Sequence, residues 1–389
     1  MSKQNSLSAA DLALPFACIL VVSTLFTAGL WPFNPFQKNR VAWLATGKGL
    51  QFGDHGVVIS RESFQTARLN RRSSCTLAIR LQPATIANGS GTLLGFYTAE
   101  NPSQFKLIQW RDMLLIKKDY RDSTNHLKTN EVDLEHAFVA GESVSFTVTS
   151  SPDGSVAYRN GVRAAGITRM GLSCPDFTGQ FVVGGSAVVD NSWRGNILDF
   201  AIYDRELTAK EIASEYANWA SSNANPTIQG MGGDQHIVAH YAFTEGSGRK
   251  VQSQPGSAPD LYISKVYKVP HKKMLMWPWE ESPDKRNFRD ILINILGFVP
   301  FGFVFVAYLT WNRNVSHAAI VTVFCGAAIS LTIEILQEYI PGRDSGLLDI
   351  ITNTFGTFLG VLLFRWVPVQ GLTRKLLDFV RTGEGHLQN

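Results

Sequence analysis

Hydrophobic and polar positions are arranged in three unlike ways along this 389-residue chain. From Leu12 to Gln37 there is no charged side chain at all. At a rise of about 1.5 Å per residue, such a run is long enough to cross a bilayer as a helix. A cleaved signal peptide is the competing reading, but the basic start is only Lys3 and no A-x-A site follows, so a retained anchor is expected. The run ends in WPFNPF, Trp31 to Phe36, where two prolines stop a helix and aromatics suit a membrane interface. Three more apolar runs crowd the C-terminal third, at about 290–311, 317–340 and 347–367. Their connecting loops, WNRNVSH and PGRDSG, are so short that neighbouring antiparallel helices are required.

Between these regions, residues 40 to about 220 show short alternating runs separated by turn signals. In FTVTSSPDGSVAYRNGVRA, Phe146 to Ala164, the dipeptides Asp153-Gly154 and Asn160-Gly161 suit tight hairpins, because Asn and Gly accept positive φ. Many such strands predict a β-sandwich. The series closes at LTAKEI, where Thr208 and Glu211 fit a capping box opening a helix with Ile212, Tyr216 and Trp219 available to pack. A strand-like run, IVAHYAFTEGSGRKVQ from Ile237 to Gln252, follows that helix across the flexible linker SSNANPTIQGMGGDQ. It is expected to return and complete the same sandwich, since an edge strand otherwise lacks a partner. MLMWPWEE, Met274 to Glu281, suits an outer interface.

Composition adds little, because charged residues make up 17% of the whole and the average hides the contrast. The net charge of +4 does not argue for nucleic acid. It has topological meaning instead. Lys3, Arg313, Arg365, Arg374, Lys375 and Arg381 fall on one side of a four-span scheme, which the positive-inside rule makes cytoplasmic. Both termini are then inside and the β-module outside, although Lys285, Arg286 and Arg289 stand against the trend. The tail from Thr373 to Arg381 reads either as an amphipathic surface helix or as a solvated tail. Cys18 and Cys325 fall in apolar runs and are expected to be inert. Cys75 and Cys174 lie in the module, and a disulfide between them is open if the module is extracytoplasmic. Asp54 and His55 suit a surface turn better than a calcium site, and His236 with His240 sit in a strand-like run that does not favour a metal.

The three C-terminal runs carry side chains that lipid excludes. The first has Asp290 and Asn294, and the second has Ser330, Glu334 and Gln337. Arg343 and Asp344 form the loop, and Asp349 and Asn353 open the third. Spacings of three and four align each set on one helix face. The topology gathers them near the outer face, with Asn294, Asn353 and Glu334 roughly 6–9 Å deep. DILINILG and DIITNTFG both read D-I-x-x-N-x-x-G, so each helix places a glycine on its polar face where another helix can approach. Asp290 and Asp349 are also plausible N-terminal caps. Glu334 lies near a helix C-terminus, where the dipole disfavours it, and needs a partner, a proton or water. Arg343 and the amides are its expected partners.

Two resemblances follow from these motifs. GLQFGDHGVVI from Gly49, the Y-x-N-G hairpin at Tyr158 to Gly161 and RGNILDFAIYDRELTAKEI from Arg194 resemble laminin-G/concanavalin A-like jelly-roll domains. That implies two curved antiparallel sheets and a glycan or protein ligand. FRDILINILGFVPFGF and SLTIEILQEYIPGRDSGLLDIITNTFGTFLG resemble the VanZ-like membrane family, through Glu334, Gln337, Arg343, Asp344, Asp349 and Asn353. That family is associated with teicoplanin-type glycopeptide resistance and the cell envelope, and its biochemical activity is not established. The expected fold is therefore mixed, an extracytoplasmic β-sandwich inserted into a four-helix transmembrane bundle of a bacterial cytoplasmic membrane. The parts are an anchor at 1–36, the sandwich at 37–270 with 237–263 as its permuted strand, and an interfacial linker at 271–288. The helices then occupy 289–368 and a basic tail 369–389.

Three functions fit. In the first, the module binds a glycan or protein. The bundle receives the head group of an outer-leaflet lipid-linked precursor, with Arg343 on phosphate and Asn294, Gln337 and Asn353 donating. In the second, Glu334 acts as acid or base of an intramembrane hydrolase or transferase, with Asp349 and Asp290 orienting it or holding a divalent cation. The absence of a nucleophile motif weighs against that reading. In the third, the cluster only fixes helix register.

Overall fold

The computed structural model describes residues 9–64, 74–86, 89–101, 104–151, 154–167, 172–221, 236–254, 258–277 and 288–366, with 371 and 375. The chain divides into two compact units, Phe36–Lys272 and Met1–Pro35 with Lys273–Asn389.

The first unit is a β-sandwich of two antiparallel sheets. One runs in the order β1 (Val41–Trp43), β2 (Leu50–Phe52), β13 (Gly195–Tyr203), β4 (Cys75–Pro83), β9 (Val144–Ser151), β10 (Gly154–Arg159) and β11 (Val162–Ile167). β14 (Ile237–Tyr241) also pairs with β13. The other runs β15 (Lys250–Val251), β16 (Leu261–Ile263), β3 (Val58–Ser60), β12 (Gln180–Val183), β5 (Ser90–Tyr97), β6 (Phe105–Trp110), β7 (Met113–Arg121) and β8 (Leu127–Leu134). The inner faces meet through stacked aromatics: Phe181 lies 4.7 Å from both Phe96 and Phe200, and Tyr241 extends the stack. The Asn160–Gly161 turn has φ of 51° and 76°, the two positive values that let β10 and β11 pair without splaying. Asp153 lies outside the described residues.

The late segment enters both sheets. β2 and β14 divide one edge of β13 between them, at Gly195–Ile197 and Phe200–Tyr203, while β4 covers the other edge. β16 pairs with β3 in the opposite sheet. Val238, Ala239, Tyr241 and Phe243 are fully buried in the common core, and this burial holds the returning strand. Helix α2 (Ala209–Ser221) opens with the reciprocal bonds of a capping box, Thr208 N–H to Glu211 Oε2 at 2.7 Å and Glu211 N–H to Thr208 Oγ1 at 3.3 Å. It buries Ile212 against Tyr158, Tyr203 and Ile237. The linker at 222–235 lies outside the described residues.

The second unit holds α1 (Ala9–Leu30), α3 (Phe288–Trp311), α4 (Ala318–Gln337) and α5 (Leu347–Arg365). All four are long and apolar enough to cross a membrane. Their outward faces carry exposed apolar side chains such as Phe324 at 72% and Ile351 at 57%, a surface suited to lipid rather than water. α4 stops at Gln337, short of the expected Ile340, because the chain turns through Pro341 and Gly342 at φ 78°. Leu25 of α1 packs with Phe298, Phe301 and Ile333, so the N-terminal helix is a full member of the bundle.

The two motif glycines have opposite surroundings. A Cβ on Gly356 would strike the carbonyl of Ile295, and one on Gly360 would strike that of Val299, so α5 and α3 touch backbone to backbone. A Cβ on Gly297 meets nothing within 4 Å. The close approach expected at both holds at Gly356 and fails at Gly297, which opens onto a cavity.

Candidate functional site in the helical bundle

One cavity of about 730 Å³ lies in the helical unit. α3 contributes Asp290 and Asn294, and α4 contributes Glu334 and Gln337. The α4–α5 turn contributes Arg343 and Asp344, and α5 contributes Asp349 and Asn353. The side chains that sequence spacing aligned on helix faces thus line one cavity, because i, i+3 and i, i+4 positions share a helix face. The contributions of α1 and of Met276 escape it. Leu25, Ala28 and Gly29 line the wall, and Gly29 lets Ile333 approach to 2.7 Å of where its Cβ would be. Met276 bridges to Gly346 through backbone bonds of 3.0 Å to Ser345 O and 2.9 Å from Leu347 N–H. The rest of the interfacial aromatic stretch, from Pro278, lies outside the described residues, as does the basic tail apart from Gly371 and Lys375.

Exposure is graded through the cavity. Asp290 and Asp344 are exposed, while Asn294, Arg343 and Asp349 are half-buried. Glu334, Asn353 and Gln337 are only 2%, 6% and 8% exposed. Glu334 Oε2 accepts the backbone N–H of Gly346 at 2.9 Å. Gly346 is the N-cap of α5, so a carboxylate that its own helix dipole disfavours is held by the positive end of the next helix. Asn294 Nδ2 donates to Asp349 Oδ1 at 2.7 Å, tying α3 to α5 through the two aspartate–asparagine motifs. Asn353 Nδ2 donates to Ser330 Oγ at 2.9 Å, and Asn353 Oδ1 is buried with no hydrogen-bond partner.

The other two expected donors act on α1. Gln337 Nε2 donates to Gly29 O at 2.8 Å. The Arg343 guanidinium donates to Trp31 O at 3.0 and 3.2 Å and to Ala28 O at 3.5 Å. These are carbonyls at the C-terminal end of α1, where a cation completes the unpaired backbone acceptors and opposes the dipole. Among the described residues, no three histidine, cysteine or acidic side chains are close enough to share a metal ion.

The candidates in the β-sandwich have local partners. Asp54 pairs with Arg194 at 3.3 Å, and His55 faces Asp190 at 3.7 Å. His236, just before β14, and His240, within it, bond different carboxylates, Asp204 at 2.8 Å and Asp199 at 3.2 Å. Cys75 and Cys174 are neighbouring buried free thiols. Burial, followed by a side-chain hydrogen bond with Cys174, pushes the Cys75 thiol well above its ordinary range. Burial likewise pushes Glu215 on α2 up to about 7, against the opposing pull of Arg80 and the Tyr203 hydroxyl.

Comparison with known proteins gives two matches, and the later one begins at Tyr241, within the β-sandwich unit, before running through the helical unit. A model described as VanZ/LLP1 matches residues 241–368. A model described as the concanavalin A-like lectin/glucanases superfamily matches residues 56–213. The protein VanZ of Enterococcus faecium is 34% identical over 95 residues, 24% of this chain and 55% of that protein, so the chain spans about half of that relative. The native heptameric SAP-like pentraxin of Limulus polyphemus is 15% identical at a TM-score of 0.34, covering 59% of this chain and 96% of that one. The receptor binding domain of botulinum neurotoxin C/D mosaic serotype is 15% identical at a TM-score of 0.37, covering 48% of this chain and 46% of that one. Residues 241–368 are therefore similar to the VanZ/LLP1 family and residues 56–213 to the concanavalin A-like lectin/glucanases superfamily.

Proposed function

We propose that this chain is a cell-envelope receptor of the bacterial cytoplasmic membrane. Its concanavalin A-like module faces outward and binds glycan, and its helical bundle takes the polar head of an outer-leaflet, lipid-linked envelope precursor. The termini lie in the cytoplasm. The observation that carries this reading is the cavity. Intramembrane polar residues are costly, and here eight of them from three helices and a turn converge on one space of about 730 Å³. A head group is the natural occupant of a polar space in a bundle whose outward faces are apolar. A contribution to glycopeptide resistance would follow from sequestering such a precursor.

Native mass spectrometry of the full chain with isoprenoid-linked saccharide precursors tests the proposal, comparing wild type with Glu334→Gln. The expected result is retention of unchanged lipid, weakened by the substitution. A lipid whose mass changes in a Glu334-dependent way would replace the receptor reading with an enzymatic one. No retention of any precursor would leave the cluster a scaffold.

A further inference from the structure

We infer that the bundle cavity selects a primary ammonium group. This deepens the head-group reading above and rests on it for the lipid, but it assigns the cavity to an ammonium of the head rather than to the phosphate that joins head to lipid, and the chemistry is argued from the cavity itself. Its described lining holds four carboxylates, Asp290, Glu334, Asp344 and Asp349, against the single guanidinium of Arg343. The side-chain amides do not redress the balance. The Asn294 amide N–H donates to Asp349, that of Gln337 to Gly29 O and that of Asn353 to Ser330 Oγ. Arg343 itself donates to the carbonyls of Ala28 and Trp31. An incoming phosphate would thus meet a wall of like charge, with at least one N–H of each expected donor already turned toward a protein oxygen.

A second, independent observation points to a donor. Asn353, on the cavity lining and 6% exposed, has an amide oxygen with no hydrogen-bond partner. A buried acceptor of this kind costs stability until an N–H or O–H reaches it. The carboxylates do not converge into a set that fits a metal ion among the described residues. A field spread over several oxygens, with exposed acids leading to a buried neutral acceptor, suits an ammonium with several N–H groups better than a compact dication. The N–H groups are essential to the inference, because charge alone would not satisfy the Asn353 oxygen.

The test is competition binding by native mass spectrometry on the full chain in detergent micelles. The probes are tetradecylamine, tetradecyltrimethylammonium, tetradecyl phosphate and ethylamine. Tetradecylamine should be retained about tenfold more tightly than the trimethyl cation, which keeps the charge but lacks donors. Asn353→Leu should erase that difference. Gly297→Leu, which projects a side chain into open space, should block binding while leaving the unfolding midpoint within a few degrees of wild type. Preference for the phosphate would overturn the ammonium inference and leave the head-group reading standing. Ethylamine held as tightly as tetradecylamine would keep the ammonium and overturn the lipid reading. Undiminished binding to Gly297→Leu would overturn both.

Discussion

The repeated D-I-x-x-N-x-x-G motif makes a prediction that only the structure can sign. Gly297 and Gly356 occupy the same motif position, so sequence expects alanine to act alike at both. In the bundle they differ. The Cβ of Gly356→Ala would collide with the Ile295 carbonyl, a backbone atom that cannot rotate away. α3 and α5 must then separate, loosening the neighbouring contacts of Gly360 with Val299 and of Gly302 with the Thr357 carbonyl. Overpacking typically costs about 1–3 kcal/mol, and a seam of backbone contacts belongs at the upper end, about a hundredfold in the folding equilibrium. Gly297→Ala adds a methyl where nothing lies within 4 Å and removes a helix-interior glycine, a gain of up to ~1 kcal/mol. Titrating the full chain with sodium dodecyl sulfate in mixed micelles, followed by circular dichroism, measures both midpoints. Gly356→Ala should lower its midpoint and Gly297→Ala should hold or raise it. Midpoints that fall together, or a Gly356→Ala variant that behaves as wild type, would refute the close-seam argument.

In the same titration, replacing Asn294 and Asp349 by Leu singly and together should give a coupling of about 1 kcal/mol, the value of their 2.7 Å bond. Additive losses would mean that the bond contributes nothing. In the β-sandwich, burial raises Glu215 to about 7, above its value of 4.5 when unfolded, so the folded state binds the extra proton between those limits. Stability should therefore fall as pH rises from about 4.5 to about 7, by on the order of 1 kcal/mol after discounting for screening, and Glu215→Gln should flatten that slope in a pH series of melting curves. Glu211, held down to about 2 by the Arg205 guanidinium and the Thr208 amide, acts oppositely and over a lower window, its contribution being lost as pH falls from about 4.5 to about 2. Cys75 and Cys174 should resist iodoacetamide in the native chain and react on unfolding, because both are fully buried. A chain lighter by two hydrogens that stays unlabelled on unfolding without reductant would mean that the pair is bonded.

The amino-acid sequence by itself determined the classes of element and which polar side chains line the helical cavity. Charge-free runs specify membrane-length helices, period-two runs with Asn-Gly turns specify strands, and Thr208 with Glu211 specifies a helix start, because each depends on interactions within a few residues. The same locality made Asp290, Asn294, Glu334, Gln337, Asp349 and Asn353 legible as facing sets. Tertiary structure decided what those sets face. Arg343 reaches the end of α1, Glu334 caps the start of α5 and Gly29 joins the wall, and each of these contacts spans separations that no periodicity encodes. It also decided that β14 fills the half of β13's edge that β2 leaves open. The two identical motifs end in a sealed helix seam and an open cavity because packing, not spacing, fixes which glycine another helix meets.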